Sequence, residues 1–320
     1  MTLQRFIGIA ALLLALLWPV LVHDAFLQRV GALVLLAAIS ASAWNIVGGY
    51  AGQVSVGHVV YFGAGAYASL VVFTQWGWPP LAGVPFGIAV SLMLAALVGT
   101  PTFRLRGHYF SMATIASAEL IRILCSNWSL TGAAVGLMGP PVARSWMDFS
   151  FRSPVPYYYL FLAVLTVLLG VTWWMQRSRM GFYLAAIRGG DRAARSLGVP
   201  VLTYKLFALM LSAAFTSVAG SLYAVMVGFV DPESGLGILL SVKMVIIAAL
   251  GGAGTLFGPV VGAVILVPLE EATNAAFGGG GTGVTFIVYG AIIVLVARFQ
   301  PGGVAEIWRR ITDRKLRHAA

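Results

Sequence analysis

Charged residues are scarce in this chain of 320 residues. Asp, Glu, Lys and Arg make up 9% of it, hydrophobic residues make up 60%, and the mean hydropathy is +0.92. Soluble domains carry about 25% charged residues, and a soluble fold of this length could not cover its surface with so few. Because a lipid bilayer accepts an apolar exterior, the composition predicts an integral membrane protein with one membrane domain over residues 1–320.

Motifs for several kinds of chemistry are also absent from the sequence. Cys125 is the single cysteine, so no intrachain disulfide can form. None of the three lysines follows a glycine, which excludes a P-loop, and no zinc-protease or serine-hydrolase motif occurs. We expect no metal site, because the four histidines are scattered over different regions: His23, His58, His108 and His318. The sequence therefore offers no catalytic residue and no cofactor site, and nothing in it supports an enzyme.

Apolar runs recur along the whole chain. A membrane-spanning helix needs about 20 apolar residues, and ten runs come near that length. The first run follows Arg5 and ends without the small residues of a signal-peptide cleavage site, so we expect it to be retained as a helix. The sequence predicts an all-α bundle of about ten transmembrane helices, at about 6–22, 30–47, 56–74, 81–99, 108–125, 156–175, 204–228, 237–251, 256–273 and 284–299.

Positive charge is concentrated at every second connection between these runs. Fifteen of the 20 Lys and Arg residues lie in or beside the loops 48–55, 100–107, 176–203 and 252–255, or near the two chain ends. Cytoplasmic loops of membrane proteins carry such an excess, so we expect both termini, including the basic tail 300–320, in the cytoplasm. The same bias accounts for the net charge of +10 without a nucleic-acid partner, since no nucleic-acid-binding motif is present.

Two glycine-rich segments, 48–67 and 251–263, lie at corresponding places in the two halves of the chain. Glycine-interrupted apolar segments at matching positions favour discontinuous helices and an internal repeat. Close packing of helices through small residues is the alternative. Polar side chains accompany the glycines in the first segment, so the candidate translocation path comprises Gln53, Ser55, Gly57, His58, Gly63, Gly65, Tyr67, Gly251, Gly252 and Gly254.

Three charged residues fall inside predicted spans. Glu119 and Arg122 are three residues apart, which places them on one helix face and predicts an intramembrane ion pair. The pair either stabilises the bundle or forms part of a translocation path. Lys243 is a single cation in an apolar run, and it either lines a cavity or extends toward the outer surface.

The long loop 176–203 is predicted to contain short amphipathic helices on the cytoplasmic surface. Residues 182–187 can form one helix, and Asp191 is a plausible N-cap for a second. Gly198 fits the end of that second helix, and Pro200 cannot continue it. Such helices suit docking of a soluble partner or binding to anionic lipid. The candidate docking residues are Arg188, Asp191, Arg192, Ala193, Ala194, Leu197 and Gly198, with Ala193, Ala194 and Leu197 on one apolar side.

Four stretches of the sequence together resemble the permease subunits of branched-chain amino acid ABC transporters. Residues 45–70 read NIVGGYAGQVSVGHVVYFGAGAYASL, and residues 104–122 read RLRGHYFSMATIASAELIR. Residues 178–223 are similar to the family's cytoplasmic coupling loop and the helix after it. Residues 245–264, VIIAALGGAGTLFGPVVGAV, are similar to its late glycine-rich segment.

This resemblance implies a bacterial inner-membrane importer of several subunits. A second homologous permease would complete the path, two cytoplasmic P-loop ATPases would bind ATP and Mg²⁺, and a periplasmic binding protein would deliver substrate. The ATPase would dock on the loop where Ala193, Ala194 and Gly198 match the importer pattern of two alanines, three residues and a glycine. Arg192 departs from that pattern, because an acidic residue usually stands there; Asp191 lies one position earlier.

The resemblance leaves the substrate class open. Branched-chain or other hydrophobic amino acids are expected, and permeases of the wider family also handle urea, short amides and aromatic acids. An ion-coupled secondary transporter is the rival hypothesis, since paired broken helices occur there too. It would need a buried carboxylate for coupling, and the candidate, Glu119, has Arg122 beside it to neutralise it.

Overall fold

The computed structural model describes residues 14–105, 107–139 and 151–276, together with the single residues 283, 287, 290 and 291. Residues 14–21 are helical, and a two-stranded antiparallel sheet joins β1 (Leu137–Met138) to β2 (Phe229–Val230). A π-helical turn, Ile46–Tyr50, extends the first full helix. The helices are α1 (Ala25–Asn45), α2 (Val59–Trp76), α3 (Gly83–Thr102), α4 (His108–Asn127), α5 (Val155–Arg177), α6 (Arg179–Gly189), α7 (Asp191–Ser196), α8 (Val201–Val227), α9 (Pro232–Leu236), α10 (Ile238–Gly251) and α11 (Gly258–Ala276).

The prediction of an all-α membrane protein is confirmed. Among the described residues, six helical segments are long and apolar enough to cross a membrane: Ala25–Tyr50, Val59–Trp76, Pro80–Thr102, Val155–Arg177, Val201–Val227 and Pro232–Gly251. The helices α4 and α11 have sufficient length, but charged and polar residues lower their hydropathy. Residues 6–13, most of the run 284–299 and the tail 300–320 lie outside the described residues. The count of ten spans stays a prediction.

The centre of the bundle is a close packing of α2, α3 and α8, while α1 packs against α5, α8, α10 and α11. Glycines allow this approach. A Cβ atom on Gly65 would lie 1.9 Å from the Ser217 carbonyl oxygen, and one on Gly220 would lie 1.9 Å from the Phe62 carbonyl oxygen. The backbones of α2 and α8 are therefore in direct contact, as in the small-residue interfaces of membrane helices.

Connections that the charge pattern assigns to one side of the membrane meet at one end of the bundle. Gln53, Leu105 and Arg188 come from three such loops and border a single groove. At the far end of α8, Leu137 pairs with Val230 across the two-stranded sheet, which joins two loops predicted on the opposite side. The alternation of sides is thus consistent with the fold, and which end faces the cytoplasm stays a prediction.

Candidate functional site at the glycine-rich crossing and the coupling loop

The two glycine-rich segments cross at the end of α1. Each contains an irregular connection, 51–58 between the π-helical turn and α2, and 252–257 between α10 and α11. Asn45, the last residue of α1, is 2% exposed and binds the second segment: its Nδ2 donates to the Thr255 carbonyl oxygen at 2.9 Å, and Gly254 N–H donates to Asn45 Oδ1 at 2.7 Å. A single amide side chain therefore attaches the end of α1, from which the first segment continues, to a segment 210 positions later.

The crossing is tight enough to require glycine. A Cβ atom on Gly49 would lie 2.3 Å from the backbone nitrogen of Gly254 and 1.9 Å from Asn45 Oδ1. Within the second segment, a Cβ on Gly251 would lie 1.7 Å from the Gly258 carbonyl oxygen. Gly252, with φ of +120°, has a backbone conformation that side-chain-bearing residues rarely adopt. Both segments thus use glycine for close backbone contact.

His58 lies in the core at this end of α2 and is fully buried. Its Nε2 lies 2.9 Å from Ser212 Oγ, whose own proton is donated to the Ala43 carbonyl oxygen at 2.6 Å. Because that hydroxyl proton is committed, Nε2 must carry the imidazole proton, and Nδ1 accepts from Ser55 Oγ at 3.0 Å. The chain of bonds ties the first glycine-rich segment to α8 and α1.

The rest of this segment is fixed against α4. Ser111 Oγ donates to the Val54 carbonyl oxygen at 2.6 Å, and Val56 N–H donates to Thr114 Oγ1 at 3.2 Å. A Cβ on Gly57 would lie 2.4 Å from the Thr114 carbonyl oxygen. The Trp44 indole also donates to the Ser55 carbonyl oxygen, at 2.6 Å. The backbone of the segment is therefore held by hydrogen bonds with side chains of α4 on one side and of α1 on the other.

The other predicted path residues lie in different surroundings in the structure. Gln53 borders the groove at the end of the bundle. Gly63 packs against the Leu236 side chain, and Gly65 packs against α8, as the helix-packing alternative predicts. Tyr67 is 5% exposed and lies in a small apolar cluster near Leu137. Their assignment to a translocation path stays a prediction.

The coupling loop forms two consecutive short helices, α6 and α7, and Asp191 does not cap the second one as predicted. Gly190 is the N-cap and Asp191 is the first helical residue. The reason is that the Asp191 carboxylate is drawn to Lys205, whose Nζ lies 2.7 Å from Oδ2 and which is only 2% exposed. This ion pair anchors α7 to α8. The predicted helix 182–187 is longer, extending over all of α6.

The exposed surface of α7 is mostly polar, with Arg192, Ala193, Arg195 and Ser196, so the expected common apolar side of Ala193, Ala194 and Leu197 is wrong. Ala194 is 1% exposed and packs inward, whereas Ala193 is exposed and Leu197 is 80% exposed. On α6, Phe182 is 72% exposed. Gly198 follows the helix with φ of +81°, so it ends α7 in the left-handed conformation, as predicted.

A groove of about 490 Å³ lies between the coupling loop, Gln53 of the first glycine-rich segment and the connection from α3 to α4. Arg188 and Arg192 contribute its positive charge. The lining residues are Gln53, Leu105, Gly107, Ile187, Arg188, Gly190, Asp191, Arg192 and Ala193. The loop predicted to dock a partner and the first candidate path segment therefore share one surface.

The described residues form three further ion pairs, one within α4 and two between helices. Arg122 meets Glu119 in a two-pronged contact, with Nη2 at 2.5 Å from Oε1 and Nε at 3.0 Å from Oε2, and its Nη1 lies 3.5 Å from Glu233 Oε2. This arrangement joins α4 to α9. Lys243 pairs with Glu270 on α11. The sequence did not indicate the Lys243–Glu270 pair, because its partners lie on different helices.

Comparison with known proteins decides the family. The family model described as "Branched-chain amino acid transport system / permease component" matches residues 26–297. This chain belongs to that family. The permease is 30% identical to the high-affinity branched-chain amino acid transport system permease protein LivM of Salmonella typhimurium, over 96% of this chain and 76% of LivM. It is 29% identical to LivM of Escherichia coli, over 99% of this chain and 78% of that protein.

More distant relatives have other names. The permease is 26% identical to the autoinducer 2 import system permease protein LsrC of Yersinia pestis, over 58% of this chain and 55% of LsrC. Among solved structures, PsaBC from Streptococcus pneumoniae in complex with Fab aligns over 90% of the permease and 95% of that chain, with a TM-score of 0.46 and 16% identity. The resemblance inferred from the four sequence stretches is confirmed by the family match and by LivM. The permease is a multi-pass membrane protein of the ABC transporter class.

Proposed function

We propose that this permease is a transmembrane subunit of a binding-protein-dependent ABC importer in a bacterial inner membrane. It translocates branched-chain or other hydrophobic amino acids, with a second homologous permease subunit, and a periplasmic binding protein delivers the substrate. ATP and Mg²⁺ bind to two partner ATPases. The amino-acid class is supported by the similarity to LivM, which extends over nearly the whole chain.

The observation that carries the ATP-driven part of this proposal is a pair of uncovered apolar side chains on the coupling loop. Phe182, on α6, is 72% exposed, and Leu197, directly after α7, is 80% exposed. Fully burying a leucine side chain contributes about 2 kcal/mol, so a partner that covers both residues gains several kcal/mol. Short exposed helices of this kind fit a groove on a soluble protein.

The anchoring of α7 supports a mechanical role for that surface. Asp191 is fixed to Lys205 on α8, and α8 packs against α2 and α3 in the centre of the bundle. A force applied at Leu197 would therefore reach a long membrane helix through an ion pair rather than through a flexible loop. A segment that only lay on anionic lipid would need no such attachment.

The decisive experiment compares two glutamate variants in a pull-down from native membranes, with mass spectrometry of the co-purified proteins. Leu197→Glu places a charge on the coupling loop, and Val135→Glu is a matched control, because Val135 is 81% exposed at the opposite end of the bundle. We expect wild type and Val135→Glu to retain a P-loop ATPase and a second permease, and Leu197→Glu to lose the ATPase.

The outcomes separate the alternatives. An ATPase retained by Leu197→Glu at wild-type level would show that docking occurs elsewhere and would leave lipid contact for this loop. A wild-type preparation that transports without ATP and contains no ATPase would refute the importer and favour an ion-coupled transporter. Screening the co-purified binding protein against amino acids, urea, amides and aromatic acids then tests the substrate class.

A further inference from the structure

Arg188, in the last turn of α6, lies over both glycine-rich segments. A Cβ atom placed on Gly52 would lie 3.1 Å from Arg188 Cγ, and one placed on Gly254 would lie 2.3 Å from Arg188 Nη1. The aliphatic stem therefore covers the first segment, and the guanidinium group covers the second. One side chain of the coupling loop contacts two backbone segments that approach each other at the Asn45 crossing.

The two glycines that Arg188 covers leave space for its side chain. Gly52 has φ of +68° and Gly254 has φ of +83°, a region that residues with side chains rarely adopt. Both positions thus present bare backbone to α6. Arg188 is four residues after the buried Leu184, so it begins on the face of α6 that meets the bundle, and its exposed side chain extends along the groove.

The guanidinium group is not held elsewhere by a carboxylate that the structure describes. None of the ion pairs among the described residues includes Arg188, and the neighbouring carboxylate of Asp191 pairs with Lys205. A second contact reinforces the same connection, because Gln176, near the end of α5, donates from Nε2 to the Tyr50 hydroxyl in the π-helical turn. The coupling region thus meets the first segment at Gly52 and at Tyr50.

We infer that Arg188 is a positioning residue that moves the two glycine-rich segments together when the coupling loop is displaced. This inference rests on the proposed function. Its stem transmits a push to Gly52, its guanidinium group engages Gly254, and Asn45 ties the second segment to the end of α1, from which the first segment continues. The docked ATPase would therefore act on both halves of the chain through one side chain.

The first test uses the intact complex in proteoliposomes, with ATP hydrolysis and substrate uptake measured in the same sample. Arg188→Ala removes the contact, Arg188→Lys keeps the aliphatic stem, and Arg152→Ala is the control, because Arg152 is exposed just before α5, at the opposite end of that helix from the coupling loop. Arg188 lines the groove and not the exposed surface around Leu197, so we expect Arg188→Ala to retain the ATPase subunits and ATP hydrolysis but to lose about tenfold in uptake per ATP hydrolysed. Arg188→Lys should be intermediate, and Arg152→Ala should match wild type.

The second test replaces the contact by a bond. A Cβ on Gly52 would lie 3.6 Å from Arg188 Cβ, within the range of about 3.5–4.5 Å that a disulfide needs. In a background with Cys125→Ser, we expect the reduced double variant Gly52→Cys, Arg188→Cys to be uncoupled, and oxidation to recover at least half of the wild-type uptake per ATP.

Each result bears on the inference. Wild-type coupling in Arg188→Ala, or no recovery after complete oxidation of the double variant, would overturn it while the importer proposal stood. A wild-type complex without an ATPase would refute the proposed function and this inference with it. The retained ATPase in Arg188→Ala distinguishes a positioning role from a simple loss of docking.

Discussion

Removing one partner of the buried Lys205–Asp191 pair should destabilise the permease far more than removing a partner of an exposed pair. Lys205 is 2% exposed and Asp191 is 18% exposed, and their charged atoms are 2.7 Å apart. Replacing Asp191 with alanine leaves an ammonium group buried without its carboxylate. Breaking such a pair costs about 3–5 kcal/mol, and the Phe103 ring, 5.9 Å from Nζ, compensates only in part.

The matched control is the pair at the other end of the bundle. Glu119 and Arg122 side chains are 44% and 28% exposed, and Arg122 keeps a second carboxylate, Glu233, when Glu119 is removed, so no buried charge is left without its partner. We therefore expect Asp191→Ala to lower the midpoint of thermal unfolding in detergent by several degrees. Glu119→Ala should change it by about one degree or less.

A double variant separates charge burial from packing. Lys205→Met with Asp191→Ala removes both charges and keeps an unbranched side chain at position 205, so it should recover most of the stability that Asp191→Ala loses. It should not recover co-purification of the ATPase, because α7 has lost its attachment to α8. Equal effects of Asp191→Ala and Glu119→Ala would refute the argument from burial, and full ATPase retention in the double variant would refute the anchoring role.

Two further predictions concern the core of the bundle. Replacing His58 with alanine breaks the bonds to Ser55 and Ser212 and leaves a cavity, so we expect a loss of about 3 kcal/mol in stability; the exposed His108→Ala is the control, and an equal shift of the unfolding midpoint in both would contradict it. Gly220→Val places a side chain where a Cβ would already lie 1.9 Å from the Phe62 carbonyl oxygen. It should prevent assembly of α2 with α8, whereas Gly170→Val, with open space beside Gly170, should be recovered from membranes at wild-type yield.

The family and the membrane architecture were predictable because they depend on features that repeat along the chain. Apolar runs of nearly constant length predict helices, and basic residues at alternate connections predict which loops share a side. The meeting of Gln53, Leu105 and Arg188 in one groove agrees with that alternation. The glycine-rich segments also stood out by composition alone, although composition did not distinguish a path from a packing contact.

Details of the coupling loop were only partly predictable. Gly198 ends α7 as expected, since few other residues adopt a positive φ without cost. The predicted capping role of Asp191 was wrong, because an N-cap is predicted from the neighbouring residues in the sequence alone. The choice between capping and pairing depended on Lys205, fourteen positions later, which the fold buries beside it.

By itself, the sequence determined that this chain is a helical membrane protein with a basic loop and two glycine-rich segments. Hydropathy and charge act on each segment independently, so they can be assessed without knowing its neighbours. Only the tertiary structure decided that Asn45 binds the second segment and that Arg188 lies over both segments. Those contacts link positions up to 210 residues apart, and their strength depends on burial and distance, which arise only when the helices pack.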